Sequence, residues 1–139
     1  MEFYAKIQKR EGTFLVSFPD LPNVNTYGET LTDALKQAEE ALNGSLESDF
    51  ERGFSIPISK NYSTKKSYHP IRVLPHIEIA YELKRLRKGF TQIQIAEKLG
   101  ITYQSYQKLE NPRKCNPTIK MLERISDVLQ KKLVVSFRN

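Results

Sequence analysis

Few side chains in this 139-residue sequence are placed for covalent chemistry. Asp20, Glu29, Asp33, Asp49 and Glu51 are the carboxylates that would have to hold a divalent ion for metal-assisted hydrolysis. Asp33, however, falls three residues after Thr30, where it completes a helix start, and Asp20 sits inside the turn Pro19-Asp20-Leu21-Pro22. No serine or cysteine nucleophile is grouped with His69 or His76, which lie beside prolines, and the lone Cys115 has no second thiol for a disulfide or a metal set. We therefore expect no catalytic residue, no cofactor and no metal. Recognition by hydrogen bonding is better served. Tyr103, Gln104, Gln107 and Lys108 form a polar row, and a glutamine amide can donate to and accept from one base edge at once, pairing with N6 and N7 of adenine.

The row lies in Thr91-Gln92-Ile93-Gln94-Ile95-Ala96-Glu97-Lys98-Leu99-Gly100-Ile101-Thr102-Tyr103-Gln104-Ser105-Tyr106-Gln107-Lys108-Leu109-Glu110, which reads as two short helices meeting at a tight turn. Thr91 and Thr102 each offer a side-chain oxygen to the open amides of a first turn, and Gly100 supplies the backbone freedom needed between the helices. Ile95, Leu99, Ile101, Tyr106 and Leu109 are predicted to point inward, with Ala96 small where the helices cross. That leaves Tyr103, Gln104, Gln107 and Lys108 on the outside of the second helix. A helix presented in this way fits the major groove of double-stranded DNA. Gln104 is the first choice for base reading, with Thr102 and Ser105 beside it at the helix start. Gln92 is placed to reach a phosphate, and Lys108, Asn111, Arg113 and Lys114 to grip the backbone.

Charge supports this division of labour. Residues 1 to 74 carry 9 Lys or Arg against 10 Asp or Glu, whereas residues 75 to 139 carry 13 against 6, so the net charges are −1 and +7. Only the second half suits a polyanion. Around the two-helix unit we predict four helices in all, near Pro75 to Lys88, Gln92 to Leu99, Tyr103 to Glu110 and Pro117 to Leu129. The chain then ends in Leu133-Val134-Val135-Ser136-Phe137, whose composition is that of a strand without a partner. Pairing it with its copy would make a homodimer with two reading helices.

The run from Leu83 to Leu129 resembles the helix-turn-helix of the phage-repressor-like family, called XRE or Cro/CI-type. Its pattern of Thr-Gln, Ala, Gly-hydrophobic-Ser/Thr and Leu-Glu-Asn is matched here. Most members carry Gly after Glu-Asn, and this chain has Pro112, so the following loop is expected to differ.

In the first half, Phe3, Ala5 and Ile7 alternate with polar residues, and Phe14, Val16 and Phe18 repeat the period after a turn at Arg10-Glu11-Gly12. A third strand is predicted from Val24 to Tyr27. A helix follows from the cap at Thr30, with Leu31, Ala34, Leu35, Ala38, Leu42, Leu46 and Phe50 on one face and Lys36, Glu39, Glu40 and Glu47 on the other. Residues 57–70 are polar and read as a flexible connection, with a last strand at Tyr68 to Leu74. The fold class is thus α+β: a small antiparallel β-β-β-α-β domain over residues 1–74, then an all-α helix-turn-helix domain over 75–139 ending in a dimerising strand.

Phe18-Pro19-Asp20-Leu21-Pro22, then Gly28-Glu29-Thr30 and Ala34, Ala38 and Ala41-Leu42, resembles the HicB antitoxin pattern over residues 1 to about 52. That resemblance implies an antitoxin that binds and neutralises a HicA-like ribonuclease toxin and represses its own operon. A basic toxin would suit the acidic helix bearing Glu39, Glu40, Glu47, Asp49 and Glu51. A stand-alone repressor whose first domain senses a small ligand is the alternative, and an RNA-cleaving enzyme using Asp20 and Asp33 the third. No stretch is apolar enough to cross a bilayer and no secretory signal opens the chain, so a cytoplasmic location without membrane contact is expected.

Overall fold

Alternating burial along three consecutive strands sets up the first half of the molecule. In the computed structural model, which describes all 139 residues, β1 (Glu2–Arg10), β2 (Thr13–Phe18) and β3 (Leu21–Gly28) run antiparallel, and α1 (Leu31–Glu51) packs on one face of their sheet. A fourth strand, β4 (Tyr68–Arg72), returns beside β1, so the order is β3-β2-β1-β4. Phe3, Ala5, Ile7, Val16, Phe18 and Val24 are buried from the sheet, and Ala34, Ala38, Leu42 and Leu46 from the helix. Each large member of this set contributes about 1.5–3 kcal/mol by leaving water. Most of the residues predicted inward by period are buried, but Leu31 is exposed at the helix start, Phe14, Leu35 and Phe50 are half-buried, and Tyr4 and Asn43 are buried without having been expected to be. The third strand is longer than expected because Leu21 pairs with Phe18 across a bulge between Ser17 and Phe18.

Two contacts fix how α1 lies. Gly28 ends β3 where the helix comes closest, and a Cβ built there would stand 2.3 Å from the backbone nitrogen of Ala34. Asn43 is buried in the middle of the helix and bonds to chain segments outside it. Its amide nitrogen donates to the Glu39 and Arg72 carbonyls at 2.9 and 3.1 Å, and its oxygen accepts from the Leu74 amide at 2.8 Å. Residues leaving β4 are thereby tied to the helix.

The 57–70 stretch, read from its polarity as a flexible connection, is tied to this first unit. The Lys60 amide and the Tyr62 hydroxyl donate to Asp20 at 2.8 and 3.1 Å, the Ser59 hydroxyl donates to the Glu2 carbonyl, and the Tyr62 ring stacks on Tyr68 with centroids 4.9 Å apart. Polar composition concealed this, because the tethers are side chains reaching back across about forty residues of sequence. Asp20 is thus a loop anchor, and Asp33 accepts from the Glu29 amide at 3.1 Å. Neither is positioned as half of a hydrolytic pair.

Four further helices follow: α2 (Pro75–Leu86), α3 (Gln92–Leu99), α4 (Tyr103–Leu109) and α5 (Ile119–Val128). The chain divides into two compact units between Glu78 and Ile79, four residues later than the composition suggested. The first turn of α2 belongs with the sheet unit, where Ile77 is buried and Glu78 pairs with the amino terminus at 2.7 Å. In the second unit Leu83, Ile95, Ala96, Leu99, Tyr106, Leu109 and Ile125 form the core. Leu133–Phe137 forms no strand within the single chain; residues 131–139 carry no regular structure, since no strand of the second unit neighbours them to complete a ladder.

Gly28→Ala should lower stability by about 2–3 kcal/mol through forced displacement of the helix start, read as a drop in the urea midpoint of the full chain with its slope unchanged.

Candidate nucleic-acid interface

Helix α3 begins with a reciprocal cap. The Gln94 amide donates to the Thr91 hydroxyl at 3.0 Å while the Gln94 side chain accepts from the Thr91 amide at 2.9 Å. Gly100 ends the helix in the left-handed conformation at φ 68°, and its amide bonds back to the last turn. Thr102 then caps α4, accepting from the Ser105 amide at 3.1 Å and donating its hydroxyl to Ser105 Oγ at 2.9 Å. Threonine, glycine and threonine therefore act as the sequence anticipated. Arg124 of α5 donates to the Leu99 carbonyl, closing the same turn from the other side.

With Tyr106 and Leu109 committed to the core, α4 exposes Gln104, Gln107 and Lys108, with Tyr103 half-buried. Gln104 has no protein partner and its amide is free at both ends. Gln107 donates to the Tyr103 hydroxyl at 2.9 Å, so these two present themselves as one joined unit. Ser105 and Thr102 are bonded to each other at the helix start. After α4, the Asn111 side chain accepts from the Arg113 amide, and its carbonyl accepts from the Lys114 and Cys115 amides. Pro112 and Cys115 are buried beneath this turn, and Arg113 and Lys114 are exposed. The departure from glycine at 112 is therefore built into a packed turn.

One member of the sequence assignment has a second task. Gln92 does not stand free at the start of α3; its Nε2 donates to Glu110 Oε1 at 3.1 Å. Glu110 is almost wholly buried and also receives Arg87 through both carboxylate oxygens, Nε to Oε2 at 2.6 Å and Nη2 to Oε1 at 3.1 Å. The hydrogen bonds to Glu110 hold the Arg87 guanidinium pKa above its ordinary value. One carboxylate thus ties together the end of α2, the start of α3 and the end of α4. The sequence held a signal for it: Glu110 is the one acid between Glu97 and Glu123, in a segment otherwise basic.

The Tyr106 hydroxyl is buried near this group without a hydrogen-bond partner. Burial, and secondarily the Glu110 carboxylate, push its pKa far above the ordinary 10.0. The Cys115 thiol is likewise pushed by burial from 9.0 up to about 11. No group of His, Cys, Asp and Glu converges as a metal site, and no helix is long and apolar enough to cross a membrane.

Comparison with known proteins gives this geometry a context. Residues 3–74, just over half of the chain, match the family described as HicB-like antitoxin of bacterial toxin-antitoxin systems. This chain belongs to the HicB-like antitoxin family. Residues 82–135 match a helix-turn-helix family, so the antitoxin-type domain is followed by a DNA-binding one. Antitoxin HicB 1 of Photorhabdus laumondii subsp. laumondii is 30% identical over 99 residues, which are 71% of this chain and 63% of that protein. The chain thus spans somewhat less than two thirds of that relative. Antitoxin HicB of Escherichia coli K12 is 27% identical over 101 residues, 73% of each chain. Among solved structures, the N-terminal domain of Burkholderia pseudomallei antitoxin HicB is similar at 27% identity and a TM-score of 0.46, over 53% of this chain and 99% of that one. A chain of a HicA3 and HicB3 toxin-antitoxin complex is similar at 26% identity and a TM-score of 0.46, over 54% and 100%.

Two outcomes follow from the buried groups. Arg87→Ala should cost about 3–5 kcal/mol because it strands the buried Glu110 carboxylate, and Glu110→Ala should cost less because Arg87 is only partly buried. The apolar double variant Arg87→Met with Glu110→Leu should cost less than either, measured by urea unfolding. For Tyr106, a pKa higher in the folded than in the unfolded chain means that its contribution is intact below pH 10 and is lost as pH rises beyond. Tyr106→Phe should therefore be neutral or stabilising by about 1 kcal/mol at pH 7, and should flatten the alkaline fall of the urea midpoint between pH 9.5 and 11. That comparison belongs in a Cys115→Ala background, because the thiol titrates in the same direction from pH 9 upward.

Proposed function

We propose that this chain binds and neutralises a HicA-like ribonuclease toxin through its first unit and represses its own operon by setting α4 in the major groove of operator DNA. What carries the reading is the joining, in one chain, of a HicB-like unit to a helix-turn-helix whose outward amide at Gln104 is unpartnered. The charge division supports it. Residues 1–78 hold 9 basic against 11 acidic side chains, while residues 79–139 hold 13 against 5. The first unit suits a basic protein and the second suits phosphate. Glu39 and Glu47 of α1 already pair with Arg72 and His76, so Glu40 is the better candidate on that helix for a toxin contact.

In this reading Gln104 reads a base pair, and the Tyr103–Gln107 unit reads its neighbour. Thr102 and Ser105 hold the start of the reading helix at the groove. Lys108, Asn111, Arg113 and Lys114 engage phosphates. Gln92 reaches a phosphate with the half of its amide that Glu110 leaves free. Self-association brings two such helices to half-sites about one DNA turn apart, and the chain end is its device: Val134, Val135 and Phe137 are exposed, Phe137 fully. Leu133 and Ser136 complete the segment that would pair with its copy.

A stand-alone ligand-sensing repressor remains the second reading, favoured by an open cleft of about 420 Å³ between β3 and the end of α1, with Asp20, Val24, Asp49, Arg52 and Phe54 in its walls. Expression together with the gene's neighbouring reading frames separates the two. Copurification and rescue of growth support the antitoxin, and a toxin-free chain that changes operator affinity only with a metabolite supports the sensor.

On operator fragments, Gln104→Ala should cost about 1–3 kcal/mol and relax the preference at one base pair. Lys114→Ala should weaken all sequences alike and reduce the salt slope by about one, as read by fluorescence anisotropy across a salt series.

A further inference from the structure

The charges of the first unit are sorted between its two layers. Residues 29–51, which form α1 and its approach, hold seven acidic side chains against one basic, Lys36. The rest of the unit, residues 1–28 and 52–78, holds eight basic against four acidic. Strand register then decides which side chains share the sheet face that α1 leaves uncovered, because cross-strand partners point the same way. Phe3, Ala5, Ile7 and Val16 are buried toward the helix. Lys6, Gln8 and Arg10 of β1 therefore point away from it, together with Tyr68 opposite Lys6, Leu15 opposite Gln8, and Tyr27 opposite Leu15.

This face joins free cations to an open ring. Lys6 and Arg10, with Lys65 from the adjoining loop, make no ion pair. Glu2 is the only carboxylate in the four strands, and it stands opposite Arg72 at the other end of β1 from Arg10. Tyr27 is 64% exposed and Leu15 beside it 44%, so an aromatic ring and its apolar neighbour lie in water. At the far edge, Lys65 Nζ lies 5.7 and 5.6 Å from the ring centroids of Tyr62 and Tyr68, which holds the ammonium at the rim of the face. Between these groups the Gln8 amide is exposed, and Asn25 keeps its amide oxygen, since its nitrogen donates to the Pro22 carbonyl at 3.3 Å.

We propose that this sheet face binds single-stranded nucleic acid. A base stacks on Tyr27 beside Leu15, Gln8 and Asn25 hydrogen-bond to base edges, and Lys6, Arg10 and Lys65 take the phosphates. Stacking on an exposed ring, with cations along the backbone, is the general chemistry by which single strands are held. A duplex does not suit the face. Four strands side by side span about 14 Å between the outer strand axes, wider than a major groove of about 12 Å, and paired bases keep their ring faces against one another, out of reach of Tyr27. An acidic protein segment would use the cations and leave the ring and the amides without a role. The face lies on the other side of the sheet from the acidic α1, and α4 belongs to the second unit. The proposal therefore stands apart from both the toxin and the operator reading.

The test uses the full chain, with labelled oligouridine and oligothymidine followed by fluorescence anisotropy across a salt series. Tyr27→Ala should weaken binding about tenfold, while Tyr27→Phe leaves it unchanged. Lys6→Ala and Arg10→Ala should each reduce the slope of log affinity against log salt by about 0.7. None of these variants should alter affinity for a mixed-sequence duplex, whereas Lys114→Ala should weaken the duplex and spare the single strand. The double variant Lys6→Glu with Arg10→Glu, which touches no core residue, should abolish single-strand binding even where Tyr27→Ala proves to unfold. Tighter binding of oligouridine than of oligothymidine identifies RNA through its 2′-hydroxyls, and equal binding identifies any single strand; either supports the proposal. Failure of the wild-type chain to bind both oligonucleotides would overturn it, as would binding that survives Tyr27→Ala and the charge-reversed pair. So would a Lys114→Ala chain that loses single strand and duplex alike, or polyglutamate that competes as well as oligouridine, since the face would then read charge alone.

Discussion

A buried carboxylate needs every hydrogen bond it can obtain, and the second unit is organised around supplying them to Glu110. An ionised group without solvent is tolerated only when donors surround it. Here the donors come from two other elements, Arg87 just after α2 and Gln92 at the start of α3. That constraint sets where α4 ends relative to the preceding helices and so sets the angle at which its outer face is presented. Apolar packing alone accepts small rotations of one helix on another at little cost. A forked guanidinium–carboxylate pair does not.

The first unit relies on close approach instead. Glycine at 28 lets α1 begin against the sheet, and Asn43 answers backbone groups at the chain exit from β4 that would otherwise be left unpaired. Both are polar or permissive residues at places where an apolar side chain could not serve. Each fixes orientation more than it adds stability.

These differences explain what could be read in the sequence. Strands with period two, the α1 face, the caps at Thr30, Thr91 and Thr102, and the left-handed Gly100 follow from local rules, and most of their expected inward residues are buried, Leu31 at the helix start being the exposed exception. The outer face of α4 was legible for the same reason, by subtraction of the core. What stayed hidden is non-local. Nothing within a few residues of Asp20 announces that it holds Lys60 and Tyr62, and nothing beside Gln92 announces Glu110 eighteen residues later. The extended tail at 133–137 is a different case, since its composition suits a ladder that one chain by itself does not contain.

The turn after α4 has a consequence for how an anion is held there. Proline at 112 has no amide, and the amides of Arg113, Lys114 and Cys115 are all spent on Asn111. No backbone amide is left over at residues 112–115, so a phosphate held at this turn would meet the Arg113 and Lys114 side chains. Such contacts attract strongly but fix position weakly, and they hold nearly as well when the duplex shifts along its axis. On the proposed reading of α4, such a turn would suit attachment during one-dimensional search, and the decision to stop would rest with the helix before it.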